Sequence, residues 1–164
     1  MTALSADELT RWADHTSQRW FELLGRHPEA LGIECDVMNT GTVAKLVQHI
    51  VAVELRYAQR LLGVTESSYD QVPFGSAEEL SETHRKAMEI LNRLLLDQAY
   101  DWEQSIQFQT RSAGVLRASR RTVLVHTLMH SIRHYAQLAT LVRQHGVKPD
   151  FPMDYLFMGA THLS

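Results

Sequence analysis

Glycine and proline divide this chain into four long stretches that contain neither, and that spacing most constrains its fold. The prolines are Pro28, Pro73, Pro149 and Pro152, and the glycines sit near them or at breaks: Gly25, Gly32, Gly41, Gly63, Gly75, Gly114, Gly146 and Gly159. Both residue types interrupt helices, so stretches without them are where long helices can form. Each stretch also repeats apolar residues at steps of three and four, the helical period. The first opens with Ser5-Ala6-Asp7-Glu8, a capping-box pattern, and ends at Gly25 and Pro28. Its face is Leu9, Trp12, Ala13, Thr16, Trp20, Leu23 and Leu24. A second helix runs from about Thr42 to Leu62, with Gly63 as its stop and Val43, Leu46, Ile50, Val53, Tyr57 and Leu61 as its stripe. The third opens with Ser76-Ala77-Glu78-Glu79 and presents Leu80, Ala87, Leu91, Leu94 and Leu95. The fourth runs from about Ser119 to His145, with Leu124, Leu128, Ile132, Tyr135, Leu138 and Val142 on its apolar side.

Four such helices with short connections predict an all-α fold, an antiparallel four-helix bundle. One segment breaks the pattern. Ile106 to Thr110 alternates, Arg111-Ser112-Ala113-Gly114 supplies a turn, and Val115 and Leu116 follow, so a short hairpin or an irregular ordered loop precedes the last helix. The tail from Val147 is too proline-rich to open as a helix, but Phe151, Tyr155 and Phe157 equip it to pack across the bundle.

At 164 residues the chain is expected to be one domain spanning 1–164 with a core of its own. Its net charge of −3, with 16 scattered Lys and Arg, gives no electrostatic footprint for nucleic acid. No apolar run approaches the roughly 20 residues of a membrane span. The segment Met1–Asp14 lacks the basic-then-apolar pattern of a signal peptide. The single cysteine, Cys35, excludes an internal disulfide and a cysteine-based zinc site. These features point to a cytoplasmic protein without nucleic-acid or membrane partners.

Nine histidines are the unusual feature. His130 and His134 lie four apart on the fourth helix, so they project from one face a turn apart and can reach one metal ion. At about 100° per residue both flank the position of Leu141 and point inward, whereas His126 falls at the boundary near Arg133. His49 lies beside Leu46 and Val53 on the inward side of helix two. In an up-and-down bundle helices two and four run parallel, which sets His49 within roughly 6 to 12 Å of the level of the pair. Three inward imidazoles carry polar nitrogens that need partners, and a metal supplies one. Glu54 falls on the apolar arc of helix two, where two readings stand side by side: a hydrogen bond to a ligand histidine, or an ion pair with an arginine. His84, among Leu80, Ala87 and Leu91, reads as a core or pocket histidine. His15, His27, His145 and His162 read as surface.

The segments Leu46-Val47-Gln48-His49-Ile50, with Glu54 downstream, and His130-Ser131-Ile132-Arg133-His134-Tyr135-Ala136-Gln137 resemble the DinB-like (DinB/YfiT) superfamily of metal-dependent enzymes. Members similarly place one ligand histidine in helix two and an HxxxH pair in helix four, with a glutamine three residues on, as Gln137 is here. Where members often carry Arg-Gly before that glutamine, this chain has Tyr135-Ala136. The resemblance implies a four-helix bundle, often a homodimer, that binds one divalent metal, typically nickel or zinc, through His49, His130 and His134. Characterised relatives include thiol-dependent S-transferases and isomerases that use bacillithiol, mycothiol or glutathione.

Three histidines leave coordination positions open, unlike closed structural zinc sites. The expected chemistry is activation of a low-molecular-weight thiol for attack on a small electrophile, with Gln137, Glu54 and Tyr57 as candidates to orient ligands. Alternatives are a hydrolase of a small substrate, or a non-catalytic dimeric metal-binding or stress-response module.

Overall fold

The computed structural model describes residues 4–110 and 113–161. Four α-helices dominate: α1 (Ala6–Arg26), α2 (Val43–Leu62), α3 (Ala77–Leu96) and α4 (Arg120–Gln144). Their ends are set by local chemistry. Ser5 Oγ accepts from the Glu8 amide at 3.1 Å while the Glu8 carboxylate accepts from the Ser5 amide at 2.8 Å, a complete capping box. Thr42 and Ser119 cap α2 and α4 through their hydroxyls. At α3 the cap differs in detail from the pattern. Ser76 Oγ accepts from the Glu79 amide, but the Glu79 carboxylate reaches one residue further back, to the Gly75 amide at 2.7 Å. Gly63 ends α2 at φ +80°, a left-handed conformation that glycine adopts without a Cβ clash.

Two small antiparallel sheets complete the secondary structure: β1 (Glu34–Cys35) with β2 (Gly41–Thr42), and β3 (Ser105–Thr110) with β4 (Gly114–Ser119). The segment before α4 is therefore a paired hairpin, in register from Ser105↔Ser119 to Thr110↔Gly114. Its alternation is real: Ile106 and Phe108 pack against the helices, and Gln107 and Gln109 face out. Arg111 and Ser112 of the expected turn lie outside the described residues, as does His162. The β1–β2 ribbon was not foreseen, because two-residue strands leave no periodicity to read.

The helices pack in a different order and sense from the simple up-and-down expectation. α2 packs on α3 and α4, and α1 packs on α3 and α4. Val47 and Ile50, early in α2, share one core with Leu80 at the start of α3, with Leu138 and Val142 late in α4, and with Trp20 and Leu24 late in α1. Leu55 and Leu61 share the other core with Leu91 and Leu94 late in α3, Val123 and Leu128 early in α4, and Leu9 and Ala13 early in α1. Thus α2 and α3 run one way while α1 and α4 run the other. Helices two and four are antiparallel, not parallel.

The cause is the connection from α2 to α3, which is no short turn. It doubles back along α2. Arg60 binds Glu66 at 2.7 Å, Gln59 accepts from the Ser67 amide at 2.8 Å, and Gln48 Nε2 donates to the Val72 carbonyl at 2.6 Å. Having returned to the start of α2, the chain can only enter α3 alongside it.

Trp20 anchors the first core, fully buried and stacked on Tyr135 at 5.7 Å. The tail packs across the helices as its aromatics suggested. Phe151 meets the Trp20 ring edge-on, Trp12 Nε1 donates to the Met153 carbonyl at 3.0 Å, and Tyr155 lies edge-on to Trp12. No helix among the described residues is long and apolar enough to cross a membrane.

Candidate metal centre

The antiparallel crossing of α2 and α4 sets His49 level with His130 and His134. Tyr57, two turns further along α2, meets His126, one turn back along α4. One ligand atom from each of His49, His130 and His134 lies within 4.8 Å of the others. The ring centroids are 5.0, 5.1 and 4.5 Å apart. His49 Nε2 and His130 Nε2 are 3.1 Å apart. Two imidazole nitrogens each about 2.0–2.1 Å from a tetrahedral metal stand roughly 3.3 Å from one another, so the observed spacing suits a shared ion.

Electrostatics keep His130 and His134 in the form a metal needs. Burial pushes His130 down to about 2, with His134, His49 and Arg133 adding to the effect. Burial also lowers His134, against the opposing hydrogen bond of Gln137. A neutral imidazole has a lone pair to give; an imidazolium has none. His134 Nδ1 donates to Gln137 Oε1 at 2.7 Å, and Arg133 Nη2 stands 3.3 Å from His134 Nε2. Both contacts place the proton on Nδ1 and the lone pair on Nε2. His130 Nδ1 is buried without a hydrogen-bond partner. Three convergent imidazoles, two of them held neutral and one with an orphaned nitrogen, could bind a divalent metal ion. Among the described residues no carboxylate or thiol joins the group.

The other candidates fall in different places. Glu54 is fully buried, but it meets neither a ligand histidine nor an arginine. Its carboxylate accepts from His84 Nδ1 at 2.7 Å and from Ser131 Oγ at 2.6 Å. His84 in turn reaches Asp14 Oδ1 through Nε2 at 2.9 Å. Burial alone pushes the His84 imidazole toward neutrality. The charge of Glu54 and the hydrogen bonds of Asp14 and Glu54 outweigh that and raise it to about 9. His84 is therefore a core imidazolium clamped by two carboxylates, on a side of α2 away from the three histidines. Tyr57 stands one ring removed from the centre: edge-on to His126 at 5.5 Å, with His126 5.8 Å from His130. Gln137 is the candidate in direct contact with a site histidine.

Sequence reasoning assigns no site role to Asp14, Ser131, Arg133 or Tyr69. Tyr69 stacks parallel on His49 at 6.2 Å, and Ser131 ties the turn carrying His130 to Glu54. Asp14 and Ser131 carried no usable signal, since each acts through a helix distant in sequence. Arg133, next to His134, is legible in the sequence, where the helical period sets it near His126 at the boundary of the inward face.

A family model for the DinB family matches residues 2–161, nearly the whole chain. The chain belongs to the DinB family. A comparison with curated proteins found no match.

Proposed function

We propose that this DinB-family chain is a divalent-metal-dependent enzyme, a thiol-dependent S-transferase acting on small electrophiles. The observation that carries the reading is a convergent trio of imidazoles, His49, His130 and His134, the last two buried and held neutral, with no fourth protein ligand among the described residues. A closed set of four ligands would argue for a structural ion; three leave room for a guest. A bound divalent cation supplies the Lewis acidity that makes a thiol reactive at neutral pH. The chain's own residues do the rest. His49, His130 and His134 hold the ion, Gln137 keeps the His134 proton on Nδ1, and Arg133 adds positive charge beside the centre. We further read the four helices as one bundle in a single domain, α1 and α4 against α2 and α3, forming a homodimer as the family resemblance implies, and place it in the cytoplasm on its cysteine usage.

The test is turnover of a panel of thiol–electrophile pairs with and without Ni²⁺ or Zn²⁺. Product that requires both metal and thiol supports the transferase. Metal-dependent cleavage that proceeds without thiol replaces it with a hydrolase. Absence of turnover with either metal, together with metal binding, leaves a non-catalytic metal-binding module.

A further inference from the structure

The β3–β4 hairpin leans over α2 and leaves a groove of about 630 Å³. Arg56, Arg60 and Glu66 form one wall, and Gln107, Phe108 and Thr110 the other. Glu66 is the acidic side chain of that lining. It lies 2.8 Å from Arg56 Nη2 and 2.7 Å from Arg60 Nε, so two guanidiniums share one carboxylate and a positive charge remains uncompensated. The arginines are fixed before any ligand arrives. Arg60 is wedged between aromatic rings, its Cζ 4.5 Å from the Tyr57 centroid and 4.4 Å from that of Phe108, and Arg56 Nη1 donates to the Ser67 carbonyl. Fixed donors cost less to order around a ligand than mobile ones.

Stacked aromatic rings connect the groove's arginines to the histidine centre. Arg56 lies over the Tyr69 ring at 5.1 Å, and Tyr69 stacks on His49 at 6.2 Å. Arg60 lies over Tyr57, and Tyr57 meets His126, which neighbours His130. A ligand held by Arg56 therefore has one aromatic ring between its anionic end and a site histidine.

We propose that this groove recognises a carboxylate on the small molecule whose reacting end is presented to the three histidines. One surplus charge matches a monoanion, and the planar guanidinium fork matches a carboxylate in shape. The proposal rests on the thiol reading above and names the class of molecule, a small carboxylic acid.

The test uses Co²⁺-loaded full-length protein and two thiols that differ in one group, 6-mercaptohexanoate and 6-mercaptohexanol, whose chain is long enough to pass one aromatic ring. The sulfur-to-cobalt absorption band reports binding independently of turnover. The acid is expected to bind at least about tenfold more tightly, the worth of one charge-assisted hydrogen bond, and added salt should narrow the gap. Arg56→Gln should close it. Glu66→Gln should widen it by removing the competing carboxylate, a gain that partial unfolding cannot imitate. If both thiols shift the spectrum with equal affinity, the carboxylate site is overturned and the thiol reading stands. If neither shifts it, the thiol reading falls and takes the site with it.

Discussion

Glu54→Gln removes the charge that keeps His84 protonated in the core, and the consequence can be read as a change in how stability depends on pH. The folded state holds the His84 proton up to about 9, against an ordinary value of 6.5 for an unfolded chain. Below pH 6.5 both states carry the proton and the stabilisation is complete. Between pH 6.5 and about 9 only the folded state carries it, and each pH unit removes roughly 1.4 kcal/mol. Above about pH 9 the contribution, on the order of 3 kcal/mol, is gone. The neighbouring groups do not mask this window. His130 and His134 are held neutral in the fold, so they destabilise only below 6.5, where an unfolded chain binds protons that the fold refuses. Burial pushes the Asp14 carboxyl up, but the hydrogen bond and charge of His84 hold it below its ordinary 3.8, so its contribution is lost only in acid. Urea unfolding of metal-free protein at intervals from pH 6.5 to 9.5 should therefore show a fall of about 3 kcal/mol in the parent chain. Glu54→Gln should lose roughly 3–5 kcal/mol at pH 6.5, the usual cost of breaking a buried pair, and its profile should be nearly flat. A parent profile that stays level across that range would refute the buried imidazolium.

Three further expectations concern the centre and a helix end. His134→Ala should abolish stoichiometric metal binding by elemental analysis while circular dichroism stays helical, whereas His126→Ala should lose far less; full occupancy in the first variant would remove His134 from the ligand set. Gln137→Leu should weaken metal affinity about 10- to 100-fold in a chelator competition, because the His134 proton is no longer fixed on Nδ1; unchanged affinity would show the 2.7 Å contact to be incidental. Gly63→Ala forces a Cβ into the left-handed region at φ +80° and should cost about 1 kcal/mol in thermal or urea unfolding, with no neutral outcome compatible with that cap.

Much of the centre was legible before any coordinates because its signals are local. The four-residue step from His130 to His134 and the three-residue step to Gln137 lie on one helix, where geometry follows from spacing alone. The same holds for the capping residues Ser5, Thr42 and Ser119, which mark helix starts by bonding the amide three residues on. Glu54 shows the limit. Its burial followed from its place on the apolar arc, but its partner did not, since His84 sits on another helix and either an arginine or a ligand histidine satisfied the same reasoning.

The local pattern of residues set the number of helices, where each begins, and which side of α2 and α4 carries imidazoles, because hydrogen bonding and side-chain direction within a helix depend on neighbours a few residues away. How the helices face one another was settled by contacts between them. Gln48, Gln59 and Arg60 draw the 63–76 connection back along α2. That return reverses the sense of α2 against α4 and brings His49 opposite His130. It depends on contacts between residues up to 24 positions apart, which no local period encodes.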